Sequence, residues 1–263
     1  MTPTLIAPAR DAYDALAPVY DVLTARYAYD RWLAALEDLA LDHGLAGHRV
    51  LDVACGTGKS FLPLLERGWE VTACDISGEM AARAAEKAAG RADVHVADMR
   101  ALPVYGEFDL ITCLDDAINH LLDPEDVVDA LAGMRDNLAP GGLVAFDVNT
   151  PVAYRAAACD AVIEDDDSLA VWRGSGGCLT APGGEVEVVV EVFTRADGDL
   201  WARRRSRQRH RHYPLAELCE LVEAAGLRVV ALRGQWPGAV LDADVDEERH
   251  PKAVFLLAKG GVT

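Results

Sequence analysis

The chain has 263 residues and a formal net charge of −18 at pH 7, with 51% hydrophobic and 26% charged residues. This balance is typical of a globular protein that is long enough to bury a substantial core. The negative charge argues against a generic nucleic-acid binder and against attachment to anionic membranes, because both need a positive surface.

Near the N-terminus the sequence predicts helices from about Asp11 to His43, with a break near Pro18. Apolar residues of the second part recur with helical spacing after Asp30. They are Trp32, Leu33, Leu36, Leu39 and Ala40.

Residues 50–58 predict a buried strand that runs into a glycine turn. Gly56 and Gly58 lack Cβ atoms at the point where the backbone must bend and come close to a ligand. Asp52 is an acid at the end of this core strand, so it must find partners among the turn amides or in a cationic ligand. A glycine turn alone is weak evidence, and its value depends on the segments that come after it in the chain.

Three further apolar segments end in acids: 71–76 in Asp75, 94–99 in Asp98, and 108–114 just before Asp115-Asp116. Because the carboxyl ends of parallel strands meet at one edge of a sheet, these acids should line one crevice. Asp75 lies where an acid can accept hydrogen bonds from both ribose hydroxyls of a nucleoside.

After a fifth strand, 143–148, the helical period disappears from about Val162 to His212. Valines alternate there with glutamates, which predicts antiparallel strands. We expect a two-residue hairpin turn at Asp197-Gly198, which would put Glu191 opposite Arg204.

A helix from Pro214 to Gly226 and two strands, 228–232 and 253–257, should complete the sheet. The expected organisation is a single domain over 1–263. Its parts are a helical cap (1–45), a core (46–150), an antiparallel insertion that forms a lid (151–213) and the completion of the core (214–263).

The glycine turn lacks the third glycine of a dinucleotide fingerprint, since Lys59 stands in its place. A nucleoside that carries a sulfonium instead of phosphates fits better. At this point the chain resembles class I S-adenosylmethionine-dependent methyltransferases, roughly from Tyr20 to Lys259. Among them it is similar to bacterial small-molecule enzymes such as the sugar N-methyltransferases, although Ala54 replaces the usual first glycine.

The resemblance implies an α/β, Rossmann-like doubly wound fold with a mostly parallel seven-stranded sheet. An antiparallel β insertion would follow the fifth strand, and N-terminal helices would cover the cofactor. The cofactor would be S-adenosylmethionine, giving S-adenosylhomocysteine, and no metal is expected. The implied cofactor-binding residues are Tyr20, Tyr29, Asp52, Ala54, Gly56, Asp75, Ile76, Met80, Asp98, Met99 and Leu114.

Methyl transfer from a sulfonium depends on positioning and on the exclusion of water, with a general base more useful for a hydroxyl than for an amine. His120 is the candidate base, with capping as its alternative role. Tyr20 is the second catalytic candidate, because a tyrosine face attracts a sulfonium. Tyr13 and Tyr27 are expected only to pack. Asp116 or Asn119 could orient the acceptor.

The basic segment 203–211 should place its odd-numbered arginines on one face of a strand. One interpretation is a solvated strand paired with the glutamates of the preceding strand. The other is that its end binds a carboxylate or phosphate of the acceptor, through Arg209, His210 or Arg211.

The predicted function is therefore methyl transfer to an amine or hydroxyl of a small metabolite, with the amine preferred and with an amino sugar or a natural-product intermediate as examples. The rivals are a catalytically silent cofactor-binding regulator, a tRNA-modifying methyltransferase and, more distantly, a dehydrogenase. The partner would be a small-molecule acceptor, with no nucleic acid or membrane, and the protein a monomer or homodimer. Six cysteines without a Cys-x-x-Cys motif and no apparent signal peptide predict reduced thiols and a cytoplasmic location.

Overall fold

The structure is a computed structural model that describes residues 7–25, 27–174, 181–196 and 199–261. The predicted turn at Asp197-Gly198 and the sixth cysteine, Cys178, lie outside these residues. The other five cysteines are free. None of the helices in the described ranges is both long and apolar enough to cross a bilayer.

Eight α-helices occur in the described residues. They are α1 (Ala7–Leu16), α2 (Tyr20–Leu23), α3 (Tyr29–Asp42), α4 (Leu62–Glu66), α5 (Gly78–Ala88), α6 (Pro124–Asp136), α7 (Pro151–Ala157) and α8 (Leu215–Ala224). Two short 3₁₀ helices, Met99–Ala101 and Ala117–His120, follow the third and fourth strands. The helical region predicted at the N-terminus is thus divided into three helices, and the first division contains Pro18.

In the described ranges, twelve strands form two sheets. They are β1 (Arg49–Val53), β2 (Glu70–Asp75), β3 (Ala92–Val96), β4 (Phe108–Cys113), β5 (Leu138–Asn149), β6 (Ala161–Glu164), β7 (Ser168–Gly174), β8 (Glu185–Arg195), β9 (Trp201–Arg211), β10 (Leu227–Trp236), β11 (Val240–Asp242) and β12 (Lys252–Lys259).

The larger sheet has the order β11-β10-β12-β5-β4-β1-β2-β3. Strands β1 to β5 are parallel, and β12 is antiparallel to both β5 and β10. This confirms the predicted mostly parallel α/β sheet. The short edge strand β11 is an addition to the seven predicted strands, and β10 is longer than expected.

Both faces of this sheet are covered, because alternate residues of its central strands pack into different cores. Leu51, Ile111 and Phe255 pack on the side of α6 and α8, whereas Val50 and Val254 pack on the side of α3. Because β1, β2, β4 and β5 run parallel, their ends meet at the carboxyl edge of the covered sheet, where the candidate site lies.

The second sheet has the order β6-β7-β8-β9 and is antiparallel throughout, as the sequence predicted for the insertion. Its buried face presents Val186, Val188, Val190 and Val192 to a core that includes Leu16 of α1. The first helix is therefore fixed between the second sheet and the carboxyl edge of the first.

The predicted hairpin register was wrong by one residue. Glu191 lies opposite Arg205, not Arg204. The reason is the length of the connection: the Ala196 amide donates to the Leu200 carbonyl at 2.9 Å, which leaves three residues between them instead of two. The new register puts Arg203 and Arg205 on either side of the Glu191 carboxylate, at 2.9 and 2.7 Å.

We expect Phe255→Ala to destabilise the protein by about 3–5 kcal/mol, because its fully buried ring stacks on Phe146 with centroids 4.8 Å apart. Chemical denaturation measures the change. Leu41→Ala, at an exposed position of α3, is the control and should change stability by less than about 0.5 kcal/mol. Equal stabilities of the two variants would contradict this description of the core.

Candidate active site

The turn after β1 can form only with residues that accept a left-handed backbone. Ala54, Gly56 and Gly58 have φ values of 59°, 53° and 87°. A Cβ on Gly58 would lie 2.9 Å from the Phe61 ring and 3.3 Å from the Ala84 backbone, so this position requires glycine. The turn is thereby pressed against the start of α4 and against α5.

Asp75, at the end of β2, holds this turn in place. Its carboxylate accepts hydrogen bonds from the backbone amides of Gly56 and Ser77, both at 2.8 Å. Burial raises the pKa of Asp75 to about 6, although the two amide hydrogen bonds oppose the increase. The acid predicted to bind ribose therefore sits at the predicted edge and is already oriented by the backbone.

Asp52 lies beneath the turn and contacts other side chains. Its carboxylate accepts hydrogen bonds from the hydroxyls of Ser60 at 2.5 Å and Thr112 at 2.7 Å. Burial raises the pKa of Asp52 to about 6, against the effect of both hydroxyls. Asp52 thus joins β1, β4 and the turn from below.

Asp98, after β3, is paired with Arg100 at 2.6 Å. Partial burial raises the pKa of Asp98, but the hydrogen bonds from Arg100 outweigh this effect and hold the pKa below its ordinary value. A ligand amino group at this carboxylate would have to share it with the guanidinium.

A first cavity of about 170 Å³ opens along this edge. Nine of the eleven residues predicted to bind the cofactor line it: Tyr20, Tyr29, Ala54, Gly56, Asp75, Ile76, Asp98, Met99 and Leu114. Asp52 does not, in keeping with its place beneath the turn. Met80 does not line it either, contrary to prediction, because its fully buried side chain packs in the core between α1 and the second sheet.

The N-terminal helices close this cavity through polar contacts. The Tyr29 hydroxyl donates to Asp115 at 2.8 Å, and the Tyr13 hydroxyl lies 2.7 Å from Nε2 of His120. The expectation that Tyr13 only packs was therefore wrong. Its spacing of seven residues from Tyr20 would place both on one helix face, but the break near Pro18 hid that relation.

Three carboxylates share one ammonium group beside this cavity. Nζ of Lys252 lies 2.9 Å from Asp115, 3.4 Å from Asp116 and 2.8 Å from Asp147. Burial raises the pKa values of Asp116 and Asp147 to about 6, and Lys252 opposes both shifts. Lys252 was missed in the sequence; the available signal was Asp147, an acid inside an apolar strand.

Asp115 and Asp116 have left-handed backbones, with φ values of 63° and 56°. Their amides donate to the Asp147 carboxylate at 2.6 and 3.1 Å. Asp147 therefore compensates for the strain of a backbone conformation that residues other than glycine rarely adopt.

His120 and His210 lie side by side, with ring centroids 4.1 Å apart. Burial lowers the pKa of His120 well below its ordinary value, and the nearby His210 adds to this effect. Burial, with a contribution from Lys252, lowers the pKa of His210 to about 4. Both rings are therefore neutral near pH 7.

A second cavity of about 800 Å³ adjoins the first. Tyr13, Tyr20, Asp115 and Gln208 line both cavities. Four buried polar atoms of the second cavity's wall have no hydrogen-bond partner: Trp32 Nε1, Tyr154 Oη, His210 Nε2 and Gln235 Oε1. Because unpaired buried polar groups are costly, this wall is suited to a ligand with several polar groups.

Two of the predicted acceptor-binding residues have other partners. The Asn119 amide donates to the Arg211 carbonyl and accepts from the Asn149 amide, so its side chain ties three segments together. Arg211 bonds to the Leu122 carbonyl and to Glu217. Neither residue lines a described cavity, so the structure does not support acceptor binding by them.

The remaining predicted acceptor residues do reach a cavity. Asp116 and His210 line the second cavity, whereas Arg209 lines the first and forms an ion pair with Glu185. The ion pairs of Arg203, Arg205, Arg207 and Arg209 with glutamates of β8 agree with the solvated-strand interpretation of this basic segment.

Comparison with known proteins points to one class of enzyme. Residues 50–142 match the family model described as a methyltransferase domain. The Bacillus subtilis protein named "Putative methyltransferase YqeM" is 28% identical over 223 residues, which are 82% of this chain and 87% of that protein. The glycine/sarcosine N-methyltransferase of Parasynechococcus marenigrum is 38% identical over 114 residues, 41% of this chain and 40% of its own.

Solved structures share the fold over almost the whole chain. An S-adenosylmethionine-dependent methyltransferase from Clostridium acetobutylicum has a TM-score of 0.78 and 23% identity, covering 95% of this chain and 99% of its own. The sugar N-methyltransferase KedS8 from Streptoalloteichus has a TM-score of 0.70 and 20% identity, covering 90% and 92%. The amino pentose methyltransferase CalS10 from Micromonospora echinaspora, solved with S-adenosylmethionine bound, has a TM-score of 0.65 and 18% identity, covering 92% and 96%.

These findings confirm the predicted fold class and the resemblance to S-adenosylmethionine-dependent methyltransferases.

The raised pKa of Asp52 predicts a pH dependence of stability. A carboxyl with a pKa of about 6 when folded and about 3.9 when unfolded holds its proton more tightly in the folded state. Its contribution to stability is therefore fully present below pH 4 and is lost as the pH rises through 6.

We expect Asp52→Asn to abolish this contribution. Between pH 4 and pH 7 the wild-type protein should lose about 2–3 kcal/mol more stability than the variant, as measured by denaturation at each pH. Asp42→Asn, at an exposed position, should follow the wild-type profile. Parallel profiles for the wild type and Asp52→Asn would show that this carboxyl is not held as described.

Proposed function

We propose that this methyltransferase binds S-adenosylmethionine in the first cavity and transfers its methyl group to an amine or hydroxyl of a small molecule in the second. The observation that carries the proposal is the wall shared by the two cavities, formed by Tyr13, Tyr20, Asp115 and Gln208. Donor and acceptor sites that meet at one wall provide the proximity on which a direct displacement depends.

The residues around the first cavity suit S-adenosylmethionine better than a dinucleotide. The Gly56 amide, which would face a phosphate in a dinucleotide site, donates to the Asp75 carboxylate instead. Asp75 is thereby poised to accept hydrogen bonds from ribose hydroxyls. The structure of CalS10, with S-adenosylmethionine bound in the same fold, supports this choice of cofactor.

When bound, S-adenosylmethionine supplies a methyl group on a positively charged sulfur that is already activated for displacement. The protein contributes binding, orientation and the exclusion of water. Tyr20 lines both cavities and offers an electron-rich ring to a cation. His120 contacts Tyr13 of the shared wall, so His120 and Tyr20 stay the candidate catalytic residues.

We propose an amine as the preferred acceptor atom and a metabolite such as an amino sugar or natural-product intermediate as the acceptor. Support comes from the sugar N-methyltransferase KedS8, which shares the fold. Aromatic residues of the second cavity, including Trp32, Trp172 and Trp236, offer apolar surface for a ring. Its unpartnered polar atoms offer hydrogen bonds to substituents of that ring.

The test of cofactor binding is Asp75→Ala. Loss of a charged acceptor should weaken binding of S-adenosylhomocysteine about 10- to 100-fold, equivalent to about 1–3 kcal/mol, as measured by isothermal titration calorimetry. Asp93→Ala, an exposed acid on the adjacent strand β3, is the matched control and should bind as the wild type does. An unchanged affinity of Asp75→Ala would mean that the nucleoside binds elsewhere.

The test of the acceptor site is Ala153→Phe, because Ala153 lines the second cavity and not the first. Methyl transfer to metabolites in a cell extract, followed by mass spectrometry with a deuterated methyl donor, should fall at least tenfold. Binding of S-adenosylhomocysteine should not change, since the first cavity is untouched. Ala202→Phe, at an exposed position of β9, serves as the control.

Full transfer by Ala153→Phe would remove the second cavity from the proposal. Cofactor binding by the wild type without transfer to any metabolite would favour the catalytically silent regulator.

A further inference from the structure

Three potential metal ligands converge beside the wall shared by the two cavities. Asp116, His120 and His210 each offer one ligand atom, and these atoms all lie within 4.8 Å of one another. If all three atoms were 4.8 Å apart, an ion at the centre of the triangle that they form would be about 2.8 Å from each of them. Metal–ligand bonds are about 2.0–2.2 Å long, so each side chain would need to shift by less than about 1 Å.

One ring nitrogen of His210 has no hydrogen-bond partner. Its side chain is buried, with a relative exposure of 7%, and its Nε2 atom has no hydrogen-bond partner. The other ring nitrogen, Nδ1, lies 3.5 Å from Oδ2 of Asp116. A buried nitrogen without a partner leaves a cost that a bound ion would remove.

The surrounding charge is not balanced. Asp115, Asp116 and Asp147 carry three negative charges when ionised, and Lys252 is the only lysine or arginine of the described residues that forms an ion pair with them. One divalent cation would neutralise the two negative charges that Lys252 leaves unbalanced. Asp116 has the longest of the three contacts with Lys252, so its carboxylate is the one most available to a second cation.

The two imidazoles also lie next to each other at this place, since the ring centroids of His120 and His210 are 4.1 Å apart. One contact opposes ligation: the Tyr13 hydroxyl occupies Nε2 of His120 and must be displaced.

We infer that Asp116, His120 and His210 form a binding site for a divalent first-row transition-metal ion between the two cavities. Two imidazoles and one carboxylate suit ions such as Zn²⁺, Co²⁺ or Fe²⁺ rather than Mg²⁺ or Ca²⁺. Three protein ligands leave coordination positions free for a heteroatom of a molecule in the second cavity. The inference does not depend on methyl transfer, and it departs from the sequence-based expectation that no metal is needed.

The test is titration of the full-length, chelator-treated protein with Co²⁺ and Zn²⁺ near pH 7.5. We expect one equivalent of Co²⁺ to give visible absorption bands from nitrogen and oxygen ligands, and calorimetry to show one Zn²⁺ bound. His210→Gln should weaken binding at least tenfold, whereas His43→Gln, immediately after α3 and outside the lining of both cavities, should leave it unchanged. Tyr13→Phe should strengthen binding severalfold, because it removes the competing hydroxyl.

Thermal unfolding of each variant separates loss of the site from loss of the fold. Asp116→Asn should weaken binding as His210→Gln does while the protein stays folded. The absence of one-to-one binding, or binding that His210→Gln leaves intact, would overturn the inference. Because S-adenosylhomocysteine binding is measured separately, such a failure would not bear on the methyltransferase proposal.

Discussion

The sharing of one partly buried ammonium group by three carboxylates is the interaction on which the candidate active site depends. Lys252 begins the antiparallel strand β12, Asp147 lies in β5, and Asp115 and Asp116 follow β4. These contacts join neighbouring strands at the carboxyl edge of the sheet. They also hold two left-handed residues in place, of which Asp115 lines both cavities and Asp116 lines the second.

The second sheet and the N-terminal helices supply the remaining walls of the two cavities at this edge. Strand β9 contributes Gln208 to the wall shared by the cavities and His210 to the second cavity. Helix α1 packs on the buried valines of that sheet and brings Tyr13 to His120. The two cavities therefore adjoin because an insertion distant in sequence is folded back over the ends of the central strands.

The local sequence pattern was sufficient to predict the position of the site residues that lie at strand ends. Asp75 and Asp98 were placed correctly because an acid after an apolar run must be at the edge of a buried sheet. The two-residue period of β8 likewise identified its buried valines. Met80 was different: its position after β2 resembled that of a cofactor residue, but the packing of α1 against α5 buries it in a core.

Long-range packing determined the contacts of those site residues that could not be predicted from the sequence. Lys252 reaches Asp115 only because β12 inserts between β5 and β10. Asn119 had the chemistry to bind an acceptor, yet the backbone of β9 and the end of β5 use both ends of its amide. The hairpin register depended on a single extra residue in a connection, and no periodicity in the strands reveals the length of a turn.

The position of Lys252 after its acidic partners in the chain has a consequence for synthesis on the ribosome. Asp115, Asp116 and Asp147 emerge more than a hundred residues before the cation that neutralises them. A nascent chain that has completed β5 must keep these carboxylates hydrated or protonated until β12 is made. Closure of the sheet around them therefore follows the synthesis of β12, and the parts of the two cavities that they line form only then.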